Sequence, residues 1–368
     1  MSRCWESCKG NKGGDRVEII DSKLPSEENC TGCSACVNIC LVVAISLKSD
    51  DHGFLYPIVD DNKCILCNKC VNICPVNKEE SVIPEEKIPE CYAAYSKNEK
   101  IRFNSTSGGI FTHLAEYILN QNGAVVGARY KKDHLVEHTV IYSEKEIAEL
   151  RQSKYVQSEI GLVYKEIKII LNSGKEVLFV GTPCQCVGLR SFLGRNYDNL
   201  YICDFICRGV NSPKAYKSYL DDLEKKYSSK VMRVWFKNKT YSWNNFATKI
   251  VFENNAEYIA DRETDPFMLS YIKSKSTINL RKCCYNCRFK GVSRPWSDIT
   301  LGDFWGIDKI SDIETKNGVS AVILHSQKGK LLFDCIVNSI VAEKHDIKEI
   351  KQYNPCIEKS APKPENDL

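Results

Sequence analysis

Short apolar runs alternate with amphipathic segments along the chain from residue 91 onward. The apolar runs have the length of strands, and the segments between them repeat apolar residues at helical spacing. This alternation favours a mostly parallel α/β core. Strands are predicted at 91–95, 124–130, 177–180, 200–206 and 319–325, a hairpin at 231–237 and 246–253, and helices at 109–120, 158–173, 187–193, 213–227 and 328–341.

Two further strands are predicted before this core, at 42–47 and 54–59, with a polar turn between them. They separate two regularly spaced runs of cysteine. The first run contains Cys30, Cys33, Cys36 and Cys40, and the second contains Cys64, Cys67, Cys70 and Cys74. This is the spacing of bacterial ferredoxins, in which the fourth cysteine of one run binds the cluster of the other run.

The ferredoxin rule predicts two [4Fe-4S] clusters. One would be bound by Cys30, Cys33, Cys36 and Cys74, and the other by Cys64, Cys67, Cys70 and Cys40. Structural zinc is the alternative, because paired Cys-x-x-Cys motifs also form tetrahedral thiolate sites. Four evenly spaced cysteines in each run, with Pro75 after the last one, favour the clusters.

The composition agrees with a redox or metal protein. The 20 cysteines of this 368-residue chain are too widely spread for a small disulfide scaffold, so they indicate metal ligands, redox groups or both. The net charge of +4 is small, which argues against nucleic acid as a partner. Since no apolar run approaches the about 18 residues of a membrane span, we expect a cytoplasmic protein.

The predicted fold class is an α+β ferredoxin module followed by a larger mixed α/β domain. An N-terminal extension at 1–28 precedes the module at 29–77, and a linker rich in Pro and Glu at 78–90 leads to the main domain at 91–345. The polar tail at 346–368 is expected to be disordered.

A stretch rich in Ser and Gly, Asn104-Ser105-Thr106-Ser107-Gly108-Gly109, stands directly before the predicted helix 109–120. Its hydroxyl and backbone N–H groups are therefore expected at a helix N-terminus, which suits a phosphate or a flavin pyrophosphate. The alternative is ordinary helix capping, for which the same residue types are used.

The stretch Gly181-Thr182-Pro183-Cys184-Gln185 follows the apolar strand 177–180 and is predicted to be a loop. Open α/β sheets bind ligands at such strand ends, so Cys184 is a candidate for chemistry. A Cys-x-x-Cys pair joined by two single cysteines would make a third cluster site, and zinc or a redox disulfide are the alternatives. The possible companions are Cys186, Cys203, Cys207, Cys283, Cys284 and Cys287.

Residues 298–306 are predicted to form a strand that runs into an aromatic turn flanked by glycines. Asp303, Phe304 and Trp305 would line a ring-shaped ligand, or the two aromatic residues belong only to the core. The histidines at 113, 134, 138, 325 and 345 show no metal spacing and are predicted to be ordinary residues.

Taken in order, these motifs resemble the beta-subunit family of coenzyme F420 hydrogenases and dehydrogenases. The resemblance runs from about residue 29 to about residue 310. It depends on the doubled cysteine runs, Ser105-x-Ser107-Gly108-Gly109, Ser153-Lys154-Tyr155-Val156-Gln157-Ser158, Gly181-Thr182-Pro183-Cys184-Gln185, Cys207-x-Gly209, Cys284-x-x-Cys287 and Gly302-Asp303-Phe304-Trp305-Gly306.

The resemblance implies an FAD and iron–sulfur oxidoreductase, with FAD held in the α/β domain. The implied flavin-binding residues are Ser105, Ser107, Gly108, Gly109, Lys154, Tyr155, Gln157, Thr182 and Pro183, and the implied ligands of a third [4Fe-4S] cluster are Cys184, Cys207, Cys284 and Cys287. Arg208 stands where many relatives have histidine, so no proton-transfer role is assigned there, and no catalytic residue is predicted.

The expected function is electron transfer between a ferredoxin-like or other redox carrier and a small organic substrate, and an oligomer is compatible with it. Two alternatives remain open. One is a non-enzymatic electron-transfer subunit of a larger redox complex. The other is a thiol or disulfide reductase in which Cys184, Cys186, Cys203, Cys283 or Cys335 reacts directly.

Overall fold

The computed structural model describes residues 23–78, 89–273 and 280–364. Residues 1–22 of the predicted extension, with Cys4 and Cys8, and residues 79–88 of the predicted linker lie outside these ranges. Among the described residues, no helix is both long enough and apolar enough to cross a bilayer.

The N-terminal module is a hairpin with two short helices. β1 (Ile45–Ser49) pairs antiparallel with β2 (Leu55–Val59), as the sequence predicts. The helices Ala35–Ile39 and Lys69–Asn72 each carry the third cysteine of a run. A residue in the left-handed region precedes each helix, Ser34 at φ 59° and Asn68 at φ 57°. The two cysteine runs therefore fold as two copies of one loop-and-helix unit.

The main domain is built on a nine-stranded sheet. Its strands are β3 (Glu90–Ser96), β4 (Ala124–Tyr130), β5 (Val136–Ile141), β6 (Ser158–Glu159), β7 (Val177–Val180), β8 (Leu200–Phe205), β12 (Ile299–Asp303), β13 (Ser320–Leu324) and β14 (Ile340–His345). Their order in the sheet is β14-β3-β13-β12-β8-β7-β4-β5-β6. The four middle strands, β12, β8, β7 and β4, are parallel, and antiparallel pairs flank them on both sides, so the sheet is mixed rather than mostly parallel.

Helices cover both faces of this sheet because successive residues of its middle strands point to opposite sides. Leu178 packs with the helix Ile110–Asn120 on one face. Phe179 packs with the helices Val163–Asn172 and Pro183–Leu193 on the other. The remaining helices are Glu99–Phe103, Ile147–Leu150, Pro213–Tyr227, Pro266–Lys273, Gln327–Asp334 and Ile347–Tyr353, with short 3-10 turns at Glu144–Glu146, Lys282–Asn286, Ile307–Lys309, Val337–Ser339 and Pro355–Ile357.

A second, three-stranded antiparallel sheet packs beside the first. It contains β9 (Val231–Asn238), β10 (Ala247–Phe252) and β11 (Glu257–Asp261). The predicted hairpin is present, and β11 is an additional strand. Tyr216, Phe236 and Phe267 form its aromatic core with the helices above it.

Two predicted elements in the middle of the chain differ from the structure. The helix predicted at 158–173 begins only at Val163, after the short strand β6. The loop predicted at 181–185 is instead the start of the helix Pro183–Leu193. Thr182 and Gln185 form a capping box there, and proline is well suited to the first helical turn.

The C-terminal part differs most. The helix predicted at 328–341 ends at Asp334, and β14 follows and pairs with β3. The tail expected to be disordered contains the helix Ile347–Tyr353, and Ile350 and Ile357 from it are buried against the main domain. Burial of these apolar side chains orders the segment despite its polar composition.

The ferredoxin-like module is docked onto the main domain. Asn38 is buried and donates its side-chain N–H to Gly161 O at 2.9 Å. Ser212 Oγ donates to His52 O at 2.5 Å on the other side of the module. Gly188, in the helix Pro183–Leu193, lies so close to the module that a β-carbon there would be 2.8 Å from Cys33 Cβ. The two parts therefore pack without a gap at Cys33.

Candidate redox site

The first cysteine group of the module is Cys30, Cys33, Cys36 and Cys74. Burial raises the pKa of Cys33 to about 12, and the neighbouring Cys30 and Cys74 act in the same direction. Burial together with Cys33, Cys30 and Cys74 also raises the pKa of Cys36. Because Cys30, Cys33 and Cys74 all act on Cys36, these four cysteines lie close together, in the grouping expected from the two-run pattern.

The second group contains Cys40, Cys64, Cys67 and Cys70, and it lies nearer the surface, with Cys67 exposed. Burial raises the pKa of Cys70, and Cys40 and Cys64 add to the effect. The backbone N–H of Ala44 donates to Cys40 Sγ at 3.2 Å. A hydrogen bond of this kind stabilises a thiolate ligand.

These cysteine groups fit a polynuclear metal centre. Several thiolates are stable at close quarters in a buried site only when a cationic group binds them, because metal binding removes their protons. In the described ranges, no three Cys, His, Asp or Glu side chains converge as tightly as a single metal ion requires. A four-iron cluster holds its sulfur ligands farther apart than one zinc ion with its about 2.3 Å Zn–S bonds.

A third group of cysteines lines a small pocket of about 40 Å³ between the module and the main domain, named here the cysteine pocket. Burial raises the pKa of Cys184, and Cys287, Cys207 and Cys284 add to this effect. Asn29 and Thr31 of the module form part of the same wall. The structure thus brings together Cys184, Cys207, Cys284 and Cys287, which come from three separate parts of the sequence.

Local structure places these cysteines. Cys184 lies in the first turn of the helix Pro183–Leu193, where Thr182 Oγ1 is 3.1 Å from its sulfur. Cys284 lies in the 3-10 turn Lys282–Asn286. A hydrogen bond from Cys283 lowers the pKa of Cys284, which favours the thiolate form that metals bind.

A much larger cavity, of about 490 Å³, opens at the carboxyl ends of the parallel strands. This is the position at which open α/β sheets bind their ligands, and the volume is within the range of small-molecule and cofactor sites. Six of the predicted flavin-binding residues line it: Ser105, Ser107, Gly109, Lys154, Tyr155 and Thr182. Pro183 and Gln157 line the cysteine pocket instead, and Gly108 packs behind the cavity wall against β3 and β13.

The loop 104–109 is held rigidly by the hydroxyl groups that the sequence indicated as ligand donors. Ser105 Oγ donates to Ile101 O at 2.8 Å, and Ser107 Oγ donates to Val319 O at 2.7 Å. Lys239 is buried beneath the loop and donates to Ser107 O at 2.7 Å. Since the serine protons are used in the loop, the donors left for an anion are the backbone N–H groups of the first turn of the helix Ile110–Asn120.

Lys154 adds positive charge to this end of the cavity. Its Nζ donates to the backbone carbonyls of Arg151 at 2.7 Å, Glu149 at 2.9 Å and Gln152 at 3.3 Å, so it would act on an anion through its charge rather than through a direct hydrogen bond. Burial lowers its pKa to about 7. Arg151 also lines the cavity, and its Nε donates to Thr112 Oγ1 at 3.0 Å. The combination of a helix N-terminus and two basic side chains suits a phosphate or pyrophosphate group.

The opposite end of the cavity is aromatic and contains a buried ion pair between Lys237 and Asp303. The Lys237 side chain is 3% exposed and lies over the Trp305 ring at 4.5 Å. Trp243 stacks on Trp305 with ring centroids 4.9 Å apart and donates its Nε1–H to Asp303 at 3.0 Å. Trp305 therefore lines the ligand cavity, whereas Phe304 is fully buried in the core.

The cysteine pocket and the large cavity share a wall. Cys207, Arg208 and Gly209 line both of them, and so does Thr182. Gly209 adopts φ 151°, and a β-carbon there would lie 3.1 Å from Cys284 Cβ. The third cysteine group thus borders the large cavity through Cys207.

Other thiols are poorly suited to direct redox chemistry. Cys186 and Cys203 are buried, and burial raises the pKa of each well above its ordinary value. A reactive thiol needs a lowered pKa and access to its substrate. Cys335 is exposed, in the segment after the helix Gln327–Asp334, and it does not line either pocket. These features argue against direct redox chemistry at Cys186, Cys203 and Cys335, whereas Cys184 and Cys283 line the cysteine pocket.

Sequence reasoning missed several residues of the site. His138 was predicted to be ordinary, but it lines the cavity, and burial lowers its pKa to about 4. Lys237 and Cys356 also line the cavity, and neither belongs to a spaced motif. Arg281 is fully buried at the interface with the module. No sequence motif marked these residues, because they meet through tertiary packing alone.

Together, a doubled cysteine module docked on a mixed α/β domain and a further cysteine group define an iron–sulfur redox protein. Models of one family, coenzyme F420 hydrogenase/dehydrogenase, beta subunit, match residues 91–164 at its N-terminal part and 174–350 at its C-terminal part. A 4Fe-4S dicluster domain model matches residues 29–78. The chain therefore belongs to the coenzyme F420 hydrogenase/dehydrogenase beta-subunit family, and the predicted family membership is confirmed.

Among solved structures, a chain of the F420-reducing [NiFe] hydrogenase complex from Methanosarcina barkeri, studied as a xenon derivative, is similar. The identity is 18% and the TM-score 0.48, over 73% of this chain and 85% of that chain. No curated protein matches the sequence.

Proposed function

We propose that the chain is an FAD- and [4Fe-4S] cluster-dependent oxidoreductase that acts in the cytoplasm. Electrons pass between a ferredoxin-like or other redox carrier and a small organic substrate. The route runs through two clusters in the module at 29–77, a third cluster at the cysteine pocket, and FAD in the large cavity of the domain at 91–345. FAD, when bound, supplies the exchange between single electrons and electron pairs.

The observation that carries this proposal is the shared wall of the two pockets. Cys207, a member of the third cysteine group, lines the cavity as well as the cysteine pocket, and so do its neighbours Arg208 and Gly209. Asn29 and Thr31, beside the first cysteine run, close the cysteine pocket from the module. The module, the third group and the cavity therefore follow one another in space, which is the order that stepwise electron transfer to a buried organic cofactor requires.

The residues around the cavity have separate tasks in this proposal. The loop 104–109 and the helix after it orient the pyrophosphate, and Lys154 supplies charge there. Trp305 and Phe246 provide flat surfaces for a ring at the other end. The Lys237–Asp303 pair places an acidic and a basic group beside that ring, and no catalytic role is assigned to either.

The composition of the protein tests this function. We expect about twelve irons, with matching sulfide, and one FAD per chain after anaerobic purification. Metal analysis, sulfide assay, flavin extraction and the visible spectrum measure these quantities. About eight irons without flavin would identify a non-enzymatic electron-transfer subunit and overturn the proposal. About eight irons with zinc at the cysteine pocket would overturn the assignment of a third cluster to that pocket.

FAD affinity is expected to depend on pH through Lys154. Burial lowers the pKa of this residue to about 7, so its charge is present below pH 7 and lost as the pH rises through that value. The affinity for the anionic pyrophosphate should therefore fall by about tenfold between pH 6 and pH 8.5. Titration of the cofactor-free protein with FAD, followed by flavin fluorescence, measures the dissociation constant across this range.

Lys154→Met should remove most of this pH dependence and bind FAD weakly at every pH. Lys145→Met is the matched control, because Lys145 is an exposed lysine of the same segment that does not line the cavity. If the FAD dissociation constant changed equally with pH in wild type and Lys154→Met, the proposed role of Lys154 in binding the pyrophosphate would be contradicted.

A further inference from the structure

Arg281 is a fully buried arginine at the interface between the module and the main domain. It directly precedes the 3-10 turn that carries Cys284, and its backbone N–H donates to Val210 O at 3.0 Å. Its side chain extends away from the main domain and into the first cysteine run. The residue thus belongs to one domain by its backbone and to the other by its side-chain contacts.

The guanidinium contacts the module at three points. Nε donates to Cys30 O at 2.7 Å, and Nη2 donates to Leu55 O at 3.1 Å. Nη2 also donates to Cys30 Sγ at 3.6 Å, within the range of hydrogen bonds to sulfur. The Tyr56 ring lies 4.0 Å from the guanidinium carbon, which adds a cation–π contact. On the other side, Nη1 donates to Gln157 Oε1 at 2.9 Å.

Gly32 shows that the cysteine loop is shaped around this arginine. It adopts φ 69°, and a β-carbon at this position would lie 3.0 Å from the Arg281 guanidinium carbon and 2.3 Å from Gln157 Nε2. Any larger residue at position 32 would therefore displace the glutamine, the arginine or the loop. This is an independent indication that the contact is built into the fold.

A buried positive charge beside a cluster ligand has a predictable effect on redox chemistry. One-electron reduction adds negative charge to a cluster and its thiolates, and a cationic hydrogen-bond donor stabilises that charge. Hydrogen bonds to the sulfur atoms and nearby charge are among the main factors that set the potentials of iron–sulfur clusters. Arg281 should therefore make the cluster at Cys30 easier to reduce.

We propose that Arg281 is a positioning residue that raises the reduction potential of the cluster bound at Cys30. Because the arginine is anchored in the main domain, this potential depends on the docked position of the module. The inference rests on the proposed cluster at Cys30, Cys33, Cys36 and Cys74. Arg281 belongs to no spaced cysteine motif and does not line the large cavity.

The test is an anaerobic redox titration of the cluster-loaded protein, monitored by electron paramagnetic resonance. In Arg281→Met, one of the two module clusters should show a roughly tenfold lower ratio of reduced to oxidised form at the wild-type midpoint. For a one-electron couple this corresponds to a midpoint about 59 mV lower. The second module cluster should not shift, and Cys70→Ser, which removes it, identifies which signal belongs to Cys30.

Lys282→Met is the matched control. Lys282 is the next residue and also links the two domains, since its Nζ is 3.1 Å from Glu27 and 3.3 Å from Glu28. Its side chain is 47% exposed, and its Nζ donates to these two carboxylates at the surface. We expect its loss to leave both midpoints unchanged. Equal shifts in the two variants would indicate general loosening of the interface and overturn the proposal.

Two further variants keep the test independent of folding defects. Gly32→Ala retains Arg281 but displaces its guanidinium, so the Cys30 cluster should shift in the same direction as in Arg281→Met. Arg281→Lys retains the charge but loses the planar set of guanidinium N–H donors, so we expect a smaller shift of the midpoint potential than in Arg281→Met. Unchanged midpoints in variants with full iron content would overturn the role of Arg281 while leaving the proposed function intact. Absence of the iron in wild type would instead overturn the proposed function.

Discussion

Cys284→Ser is expected to lose about four irons per chain and to keep both module clusters and FAD. Cys284 lines the cysteine pocket with Cys184, Cys207 and Cys287, but it does not line the large cavity. Loss of an outer contact of a metal site already costs about 10- to 100-fold in metal affinity or activity, so loss of a ligand should cost at least as much. Reduction of the flavin by a reduced carrier protein should therefore slow by on the order of a hundredfold.

Iron and sulfide assays, the flavin spectrum and rapid-mixing measurements of flavin reduction test this expectation. Direct photoreduction of the flavin should remain normal, because it does not use the clusters. Cys283→Ser is the matched control, since Cys283 is the adjacent thiol in the same pocket and is not among the proposed ligands. Full iron content in Cys284→Ser, or loss of iron in Cys283→Ser alone, would contradict the ligand assignment.

Most strands of the central sheet, namely β3, β4, β7, β8, β12 and β13, were predictable because their signal is local. β7 is the most apolar run of the chain, and all of its neighbours in the sheet bury residues on both faces. The helices Ile110–Asn120 and Pro213–Tyr227 were also predicted within a residue or two of their observed ends, since each has a clear apolar face.

Elements that depend on distant partners were missed. The predicted helix 328–341 reaches only the first two residues of β14, and the polar residues Glu343 and Lys344 gave the rest of this strand no clear signal. It is a strand because it pairs along its whole length with β3, which is far away in the sequence. β11 was also missed, although its partner β10 is its neighbour in the chain. Short segments with mixed periodicity take the structure that tertiary pairing provides.

The residues of the candidate site also divide into those with a local sequence signal and those that only tertiary packing brings together. The cysteines of the module are spaced by the geometry of the cluster that they are predicted to bind, so their pattern is visible in the sequence. Arg281, Lys237 and His138 act as single side chains at positions that only the folded chain brings together. Asp303 lies between these cases, because its glycine-flanked aromatic motif indicated a ligand surface but not its lysine partner.

Gly108→Ala is expected to weaken FAD binding by at least about tenfold and to lower the free energy of unfolding by about 1–3 kcal/mol. A β-carbon at Gly108 would lie 2.2 Å from Ala94 O and 2.8 Å from Ser320 N, both of which belong to the backbone of the central sheet. These backbone atoms cannot move without disrupting the sheet, so the loop 104–109 must move outward. The N–H groups that follow it would then no longer be aimed at the pyrophosphate.

Gly329→Ala separates the effect on the cofactor from the effect on stability. A β-carbon there would also lie 2.2 Å from a backbone oxygen, that of Asp298, but Gly329 is in the helix Gln327–Asp334 and does not line the cavity. Urea unfolding should show similar losses of stability in the two variants, whereas flavin fluorescence should show weakened FAD binding only in Gly108→Ala. If both variants bind FAD equally, the loop 104–109 does not hold the pyrophosphate, and the flavin must be held from another part of the cavity wall.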